Sequence, residues 1–128
     1  MILPDSSIFI ESTRRRGRGL KQRLDSLPIY GAGIVLSEVL KGAKLPADRT
    51  RILTYFQTLP ATPFEAIHWI ALGDNLAALR RKGICVPLGD VILATLAIAY
   101  GFEVWAQDKH FPLMQTALPD LKLFSEAV

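Results

Sequence analysis

The chain has 128 residues, 50% of them apolar, and carries a formal net charge of +3. This length and composition suit one domain, residues 1–128, with a packed core, and they exclude a disordered chain. The longest uncharged apolar run is too short to span a bilayer, and the start of the sequence lacks the pattern of a secretory signal. We therefore expect a cytoplasmic protein with no membrane segment, in which the single cysteine, Cys85, is a buried packing residue.

The first half of the chain predicts strands and helices in alternation. Residues 1–3 form a short buried strand, after which a serine can cap a helix over residues 6–13. A second helix covers residues 20–27, beyond two glycines that interrupt the first. Residues 28–36 are rich in β-branched residues and glycine and predict a strand, and Ser37 can cap the helix that follows.

The second half of the chain contains the longest and most apolar predicted helices. One is apolar nearly all round, hence buried, and ends at Gly101; another is amphipathic, with Ile67 and Ile70 on its expected buried face. The predicted helices cover residues 46–59, 65–82 and 88–100, and the predicted strands cover residues 60–64, 102–106 and 121–124. Short strands that alternate with helices indicate an α/β fold, a three-layer sandwich with a mostly parallel central sheet.

Four isolated acids stand where predicted strands end or predicted helices begin. Asp5 follows the first strand, Asp108 follows the strand 102–106, Glu38 lies in the first turn of a helix, and Asp90 starts the buried helix. Sites in open α/β sheets gather at the carboxyl ends of the strands, so all four acids can converge on one edge. Each acid alone also has a plainer interpretation as a helix cap, a first-turn charge or a turn residue, and only the set favours a functional site.

Convergence of carboxylates is unfavourable without a cation, because like charges resist joint ionisation and raise at least one pKa. A hard divalent ion removes this conflict, and Mg²⁺ and Mn²⁺ prefer oxygen ligands. One cysteine and two well-separated histidines do not form a zinc site of the usual spacing. An ion held by carboxylates can activate water against a phosphodiester, so we predict a Mg²⁺ or Mn²⁺ site.

Four segments carry a resemblance to a known family: "MILPDSSIFIE", "GIVLSEVLKGA", "PLGDVILATLAIAYGFEVWAQDKHF" and "LKLF". In their order and spacing they resemble the PIN domain, in particular the VapC-type toxins of bacterial toxin–antitoxin pairs. The resemblance covers essentially the whole chain. It implies a Mg²⁺- or Mn²⁺-dependent endoribonuclease that hydrolyses RNA phosphodiesters, a cognate antitoxin protein that blocks the site, and a homodimer.

The resemblance also assigns roles to single residues. Asp5, Glu38, Asp90 and Asp108 match the family's four acids in order, and Ser6 matches the small hydroxyl residue beside the first acid, near the metal site. Asp5, Asp90 and Asp108 are expected to bind the metal directly or through water, with Asp5 as the central ligand, while Glu38 holds a metal-bound water or a second ion. The family often has a hydroxyl residue just before the last acid, where this chain has Ala106 and Gln107, and this departure removes one supporting contact.

Two basic clusters are candidate contacts for RNA or for an acidic stretch of the antitoxin: Arg14, Arg15 and Arg16, and Arg80 with Arg81. Cations at the end of a helix also complement the helix dipole, which is an equally good explanation of Arg80 and Arg81.

Three remaining residues have plainer expectations, and one alternative function stays open. Lys109 and His110 beside Asp108 are expected to be surface residues, with contact to the substrate as the alternative, and His68 is expected to be a packing residue. An alternative function is a Mg²⁺-binding module with a regulatory, protein-binding role, either a catalytically weak PIN-like domain or a receiver-like domain. The receiver-like version requires adjacent acids after the first strand, where this chain has one.

Overall fold

A parallel sheet brings the two ends of the chain together. The computed structural model describes residues 1–14 and 17–125, and only the backbone of Arg18. The strands β1 (Ile2–Pro4), β2 (Glu103–Trp105) and β3 (Lys122–Leu123) lie side by side in that order, with β2 parallel to both neighbours. Leu3 pairs with Val104, which pairs in turn with Leu123. The sheet therefore places the carboxyl ends of β1 and β2 next to each other.

Helices make up most of the described fold. They are α1 (Ser6–Ser12), α2 (Arg18–Ser26), α3 (Gly33–Lys41), α4 (Pro46–Gln57), α5 (Ala66–Arg81), α6 (Leu88–Tyr100) and α7 (His110–Gln115). Helix α6 contacts β2 and also α3, α5 and α7, so it lies at the centre of the packing. The predicted α/β sandwich with a mostly parallel sheet is confirmed.

Helix α6 has the predicted bounds and the predicted burial. Leu93, Ala94 and Leu96 are at most 2% exposed, as expected for a helix that is apolar nearly all round. The helix ends at Gly101, whose φ of 72° lies in the left-handed region that glycine adopts without a steric penalty. The turn at Gly101 then leads directly into β2.

One hydrogen-bonded polar pair joins α5 to α6 inside the core. Asn75 Nδ2 donates to Thr95 Oγ1 at 3.0 Å, and Thr95 Oγ1 donates to the backbone carbonyl of Val91 at 2.7 Å. Thr95 is 1% exposed, so an unpaired hydroxyl at this place would be costly. Each donor in this pair has an acceptor, and the pair fixes how the two helices lie against each other.

The predicted strand over residues 28–36 is wrong. Only single parallel bridges form there, at Ile29 and Gly31, and the chain turns into α3 already at Gly33. Val35 and Val39 are buried and four residues apart, so burial along a helical stripe outweighs the β-propensity of the segment. Ser37 is consequently inside the helix rather than at its cap. The predicted strand over 60–64 likewise reduces to one bridge, at Ala61.

Burial on α5 differs from the expectation. Its buried residues include His68 and Leu72, whereas Ile67 and Ile70, predicted to face the core, are each 69% exposed. His68 is a packing residue as expected, and its Nδ1 accepts the backbone N–H of Glu65 at 2.8 Å, which closes the start of the helix.

Two further expectations need correction. Cys85, predicted to be buried, is exposed in the loop before α6, because that loop runs over the surface. Helix α7 was not predicted at all. Over the part of the chain that the structure describes, none of the helices has the length and apolar character that crossing a membrane requires.

Candidate metal centre

Backbone pairing fixes the position of the first acid. Asp5 follows β1 directly, and its backbone N–H donates to the carbonyl of Trp105, the last residue of β2, at 2.9 Å. Its side chain also caps α1, because Oδ1 accepts a long hydrogen bond from the backbone N–H of Ile8 at 3.4 Å. Asp5 is only 4% exposed, so the carboxylate lies in the floor of the site at the sheet edge.

The loop after β2 positions the last acid. Asp108 lies three residues beyond Trp105, and its Oδ1 accepts the backbone N–H of His110 at 2.9 Å, which closes a tight turn into α7. Helix α7 is anchored beneath this turn by Phe111 and Met114, which are 1% and 0% exposed. The loop thus has a rigid support, and the carboxylate of Asp108 has a defined direction.

The start of α6 and the middle of α3 carry the other two acids. Asp90 lies in the first turn of α6. Glu38 was predicted in the first turn of α3 but lies in the second, because the helix begins earlier than predicted. A Cβ placed on Gly89 would stand 3.0 Å from Oε2 of Glu38. The Glu38 carboxylate therefore lies against the residue that precedes Asp90.

The structure brings three ligand-type side chains closest together: Asp90, Asp108 and His110. One ligand atom from each lies within 4.8 Å of the others, and we call these residues the three-residue group. His110 Nδ1 is 2.8 Å from Asp90 Oδ2 and 3.8 Å from Asp108 Oδ1. Asp5, predicted as the central ligand, is not one of the three residues of this group.

Asp5 and Glu38 are nevertheless coupled to this group, and together with Asp90 and Asp108 they form what we call the carboxylate cluster. Burial is the largest cause of a raised pKa at Asp5, which reaches about 6, and the charges of Asp108 and Asp90 add to it. A hydrogen bond from Ser7, whose Oγ donates to Asp5 Oδ1 at 2.5 Å, acts in the opposite direction.

The other two shifted acids follow the same pattern. Burial is the main reason that the pKa of Glu38 is raised, and the charge of Asp90 raises it further, while a hydrogen bond from Ser6 and the charge of Lys41 lower it. Burial likewise raises the pKa of Asp90, a hydrogen bond from His110 lowers it, and the charge of Asp108 raises it. At each of the three acids burial is the largest cause of the raised pKa, and the charge of a neighbouring carboxylate adds to it.

The chemistry of these donors fits a hard divalent cation. The carboxylate cluster supplies oxygen atoms, the ligands that Mg²⁺ and Mn²⁺ prefer, and an imidazole is also acceptable to Mn²⁺. Among residues 1–14 and 17–125, no lysine or arginine forms an ion pair with any of the four acids, and His110 alone does so. The charge of Lys41 lowers the pKa of Glu38 slightly, but no lysine or arginine of these residues lies in direct ion-pair contact with the four acids.

Comparison with known proteins identifies the family. The PIN domain family matches residues 2–115, which is most of the chain. This chain belongs to the PIN domain family. No protein of curated function matches the sequence significantly.

Solved structures share the fold of this PIN domain. A chain of VapBC2 from Rickettsia felis, solved with a DNA fragment from its promoter, is 23% identical, with a TM-score of 0.81 over 97% of this chain and 98% of its own. A chain of DNA-bound VapBC from Salmonella typhimurium is 20% identical, with a TM-score of 0.79 over 96% of each chain. A chain of VapBC-1 from nontypeable Haemophilus influenzae is 17% identical, with a TM-score of 0.76 over 97% of each.

The basic candidates lie on the surface of the PIN domain. Arg14 pairs with Glu11 at 3.1 Å near the end of α1, and its side chain is 65% exposed. Arg80 and Arg81 are exposed in the last turn of α5, where they also complement the helix dipole. Arg15 and Arg16 lie outside the described residues. Of the candidate arginines, the three that the structure describes are accessible to a polyanion or to an acidic peptide.

Two residues of the site were missed by sequence reasoning. His110 was expected to be a surface residue, yet its ring contacts Asp90; its place two residues after the acid in the loop that follows a strand was the available signal. Ser7 contacts Asp5, whereas Ser6, the serine singled out beforehand, contacts Glu38. Two adjacent serines in one helix point in different directions, and the sequence does not tell which reaches which acid.

Proposed function

We propose that this PIN domain is a Mg²⁺- or Mn²⁺-dependent endoribonuclease and the toxin of a toxin–antitoxin pair. The observation that carries the proposal is the carboxylate cluster, in which four acids from separate parts of the chain influence one another and have no lysine or arginine as ion-pair partner among the described residues. Such an arrangement is unfavourable as a purely structural feature and favourable as a cation site.

The residues divide the chemistry among them as follows. A hard divalent ion, when bound, stabilises negative charge on a phosphodiester and promotes hydrolysis by water. Asp90 and Asp108 hold the ion, and Asp5, buried in the floor of the site, adds negative charge and binds directly or through water. Glu38 holds a water molecule by accepting its hydrogen bond or helps to hold a second ion. Ser7 and Ser6 keep Asp5 and Glu38 in place.

The surroundings of the cluster are suited to a hydrolase without a covalent nucleophile. The described hydrogen bonds of Ser7 and Ser6 go to carboxylates and not to a histidine that would activate them. His110, the histidine of the site, hydrogen-bonds to Asp90. Direct attack by water on the phosphodiester therefore accounts for all the groups present.

The remaining parts of the proposal concern partners and context. Exposed Arg14, Arg80 and Arg81 contact RNA phosphates or an acidic segment of the antitoxin, since all three are accessible cations. The antitoxin is proposed because the solved structures that share this fold come from complexes named VapBC. We further propose that residues 1–128 act as a single cytoplasmic domain that forms a homodimer.

The test of nuclease activity is metal-dependent digestion of several unrelated RNAs by the pure protein. Cleavage is expected with Mg²⁺ or Mn²⁺, none with EDTA, and none with Asp90→Asn. Asp74→Asn, an exposed acid on α5 changed in the same way, is the matched control and should cleave as the wild type does. Cleavage that persists in EDTA, or in Asp90→Asn, would reject the proposal.

The test of the toxin role is separate. Expression in a bacterial host should arrest growth, Asp90→Asn should relieve the arrest, and co-expression of a small protein encoded beside the chain should block it. Metal binding without RNA cleavage would instead support the alternative of a regulatory, protein-binding PIN-like module.

A further inference from the structure

His110 contacts both acids of the three-residue group, each with a different group. Its ring Nδ1 lies 2.8 Å from Oδ2 of Asp90, and its backbone N–H donates to Oδ1 of Asp108 at 2.9 Å. A carboxylate has no proton to give, so the ring nitrogen must carry the hydrogen and donate it. The 3.8 Å between the ring and Asp108 is too long for a hydrogen bond, so the ring serves Asp90 alone.

The two contacts leave one oxygen on each acid available. Among the described residues, Oδ1 of Asp90 and Oδ2 of Asp108 accept no hydrogen bond from protein. A carboxylate that binds an ion through one oxygen commonly has its other oxygen hydrogen-bonded, which fixes its orientation. His110 thus occupies one oxygen of each acid and leaves the other oxygen of each for a ligand.

The anchoring of His110 makes this arrangement rigid at its base and open at its tip. His110 is the first residue of α7, and the next residue, Phe111, and Met114 one turn later are buried at 1% and 0% exposure. The His110 side chain is 43% exposed, whereas the Asp90 side chain is 15% exposed. A fixed backbone therefore holds an accessible ring against a largely buried carboxylate.

We propose that His110 is a positioning residue of the metal centre, whose ring N–H holds Asp90 while its backbone N–H holds Asp108, so that the free oxygen of each acid faces the ion. This inference rests on the proposed function, because it requires that the carboxylates bind a cation. Without the ring, Asp90 is free to change rotamer under repulsion from Asp108, and the ligand pair loses its fixed spacing. Removal of such a supporting contact typically weakens metal affinity about 10- to 100-fold.

The experiment measures Mn²⁺ affinity of the metal-free full chain by calorimetry and by electron paramagnetic resonance of unbound Mn²⁺. His110→Ala is expected to bind Mn²⁺ about 10- to 100-fold more weakly than the wild type. His110→Asn, whose amide can place a donor close to the position of Nδ1, should recover most of the affinity. Lys109→Ala is the control, since Lys109 is an exposed cation next in sequence, and its affinity should change less than about twofold.

Each outcome has a distinct meaning. Equal affinity of His110→Ala and wild type would overturn the positioning role. An equal loss in Lys109→Ala would also overturn it, because any change in this loop would then weaken binding. If the wild type binds no Mn²⁺, or if Asp90→Asn binds it as tightly as the wild type, the proposed function fails instead. Thermal unfolding in EDTA separates folding from positioning, because His110→Asn should melt like the wild type.

A second readout uses the unaltered protein and does not depend on any variant. Imidazole nitrogen resonances should show a hydrogen on Nδ1 of His110 without metal and again after saturation with Mg²⁺. Loss of that hydrogen when Mg²⁺ binds would show that the ring is itself a ligand, and would overturn the inference in favour of direct coordination.

Discussion

Two polar clusters inside this PIN domain differ in whether their donors and acceptors match. Between α5 and α6, Asn75 donates a hydrogen bond to Thr95, which donates in turn to a backbone carbonyl. In the carboxylate cluster the groups are all acceptors of like charge, and burial raises the pKa values of Asp5, Glu38 and Asp90. The first cluster stabilises the chain as it stands, whereas the repulsion within the second would be relieved by a bound cation. Removing a polar group should therefore have opposite effects on stability in the two places.

Within the two clusters, the largest effect is expected from Asp5→Asn in the absence of metal. The rise of the Asp5 pKa from 3.8 to about 6 corresponds to up to roughly 3 kcal/mol of penalty on the charged form near neutral pH. Asparagine keeps an oxygen that can accept from Ser7 and Ile8 and removes the charge. Denaturant unfolding in EDTA should show a variant more stable than wild type, and RNA cleavage should be lost.

The matched control for this change is Asp74→Asn, which alters an exposed acid on α5 and should leave the free energy of unfolding within about 0.5 kcal/mol. A metal-free Asp5→Asn protein less stable than wild type would mean that the carboxylate stabilises the fold, and would contradict the comparison between the two clusters.

The next effect is on the pH dependence of stability. A carboxyl group whose pKa is raised on folding binds its proton more tightly in the folded state, so its stabilisation is present below pH 3.8 and is lost as the pH rises through about 6. Between about pH 4.5 and 7.5 this amounts to roughly 2 kcal/mol from Asp5. Metal-free wild type should lose that much more stability than Asp5→Asn over this range. Parallel pH profiles for the two proteins would refute the raised pKa.

A smaller effect of opposite sign is expected in the matched cluster. Thr95→Val keeps the shape of the side chain but leaves Asn75 without its acceptor, and should lower the free energy of unfolding by about 1 kcal/mol. Replacing both partners, as in Thr95→Val with Asn75→Leu, should recover part of the loss because no unpaired donor remains. The increase in melting temperature caused by Mn²⁺ should be unchanged in both, and a change in it would link the two clusters.

The smallest effect is expected on the outer face of α5, which carries Ile67, Trp69 and Ile70 at 69%, 62% and 69% exposure. Ile70→Ser should alter the free energy of unfolding of the monomeric chain by less than about 0.5 kcal/mol, because the side chain contributes little to the core. Its buried counterpart Leu72→Ala should cost about 2 to 5 kcal/mol. Chemical unfolding of both variants at low protein concentration measures the difference.

The sequence predicted the elements whose packing follows from local pattern alone. Helix α6 is apolar nearly all round, so no choice of face was needed, and its bounds at Leu88 and Tyr100 agree with the prediction. Helix α5 was predicted with the wrong face, because it carries two apolar stripes and the tertiary contacts select the one with His68 and Leu72. The start of α3 was missed because β-branched residues there favour a strand locally while burial favours a helix.

The candidate site was predictable in part, for a related reason. Because the carboxyl ends of parallel strands meet at one edge, topology alone predicted that Asp5 and Asp108 approach each other. The charge of Asp108 contributes to the raised pKa of Asp5. The contact of His110 with Asp90 depends on a short helix, α7, and on a rotamer, neither of which the sequence pattern determines. Side-chain direction, and not the position of the backbone, was the missing information.

At Gly89, helix propensity and the space that Glu38 needs make opposite demands. Alanine is the better helix former by about 1 kcal/mol, and Gly89 lies within α6 at a helical position that does not require glycine for its backbone. The nearest neighbour of an added methyl group is Glu38, whose Oε2 would be 3.0 Å away and would have to yield by a few tenths of an ångström, while Cδ1 of Ile34 at 3.7 Å would be in ordinary contact. A methyl group at position 89 would therefore add helix propensity at the expense of the room that the Glu38 carboxylate now occupies.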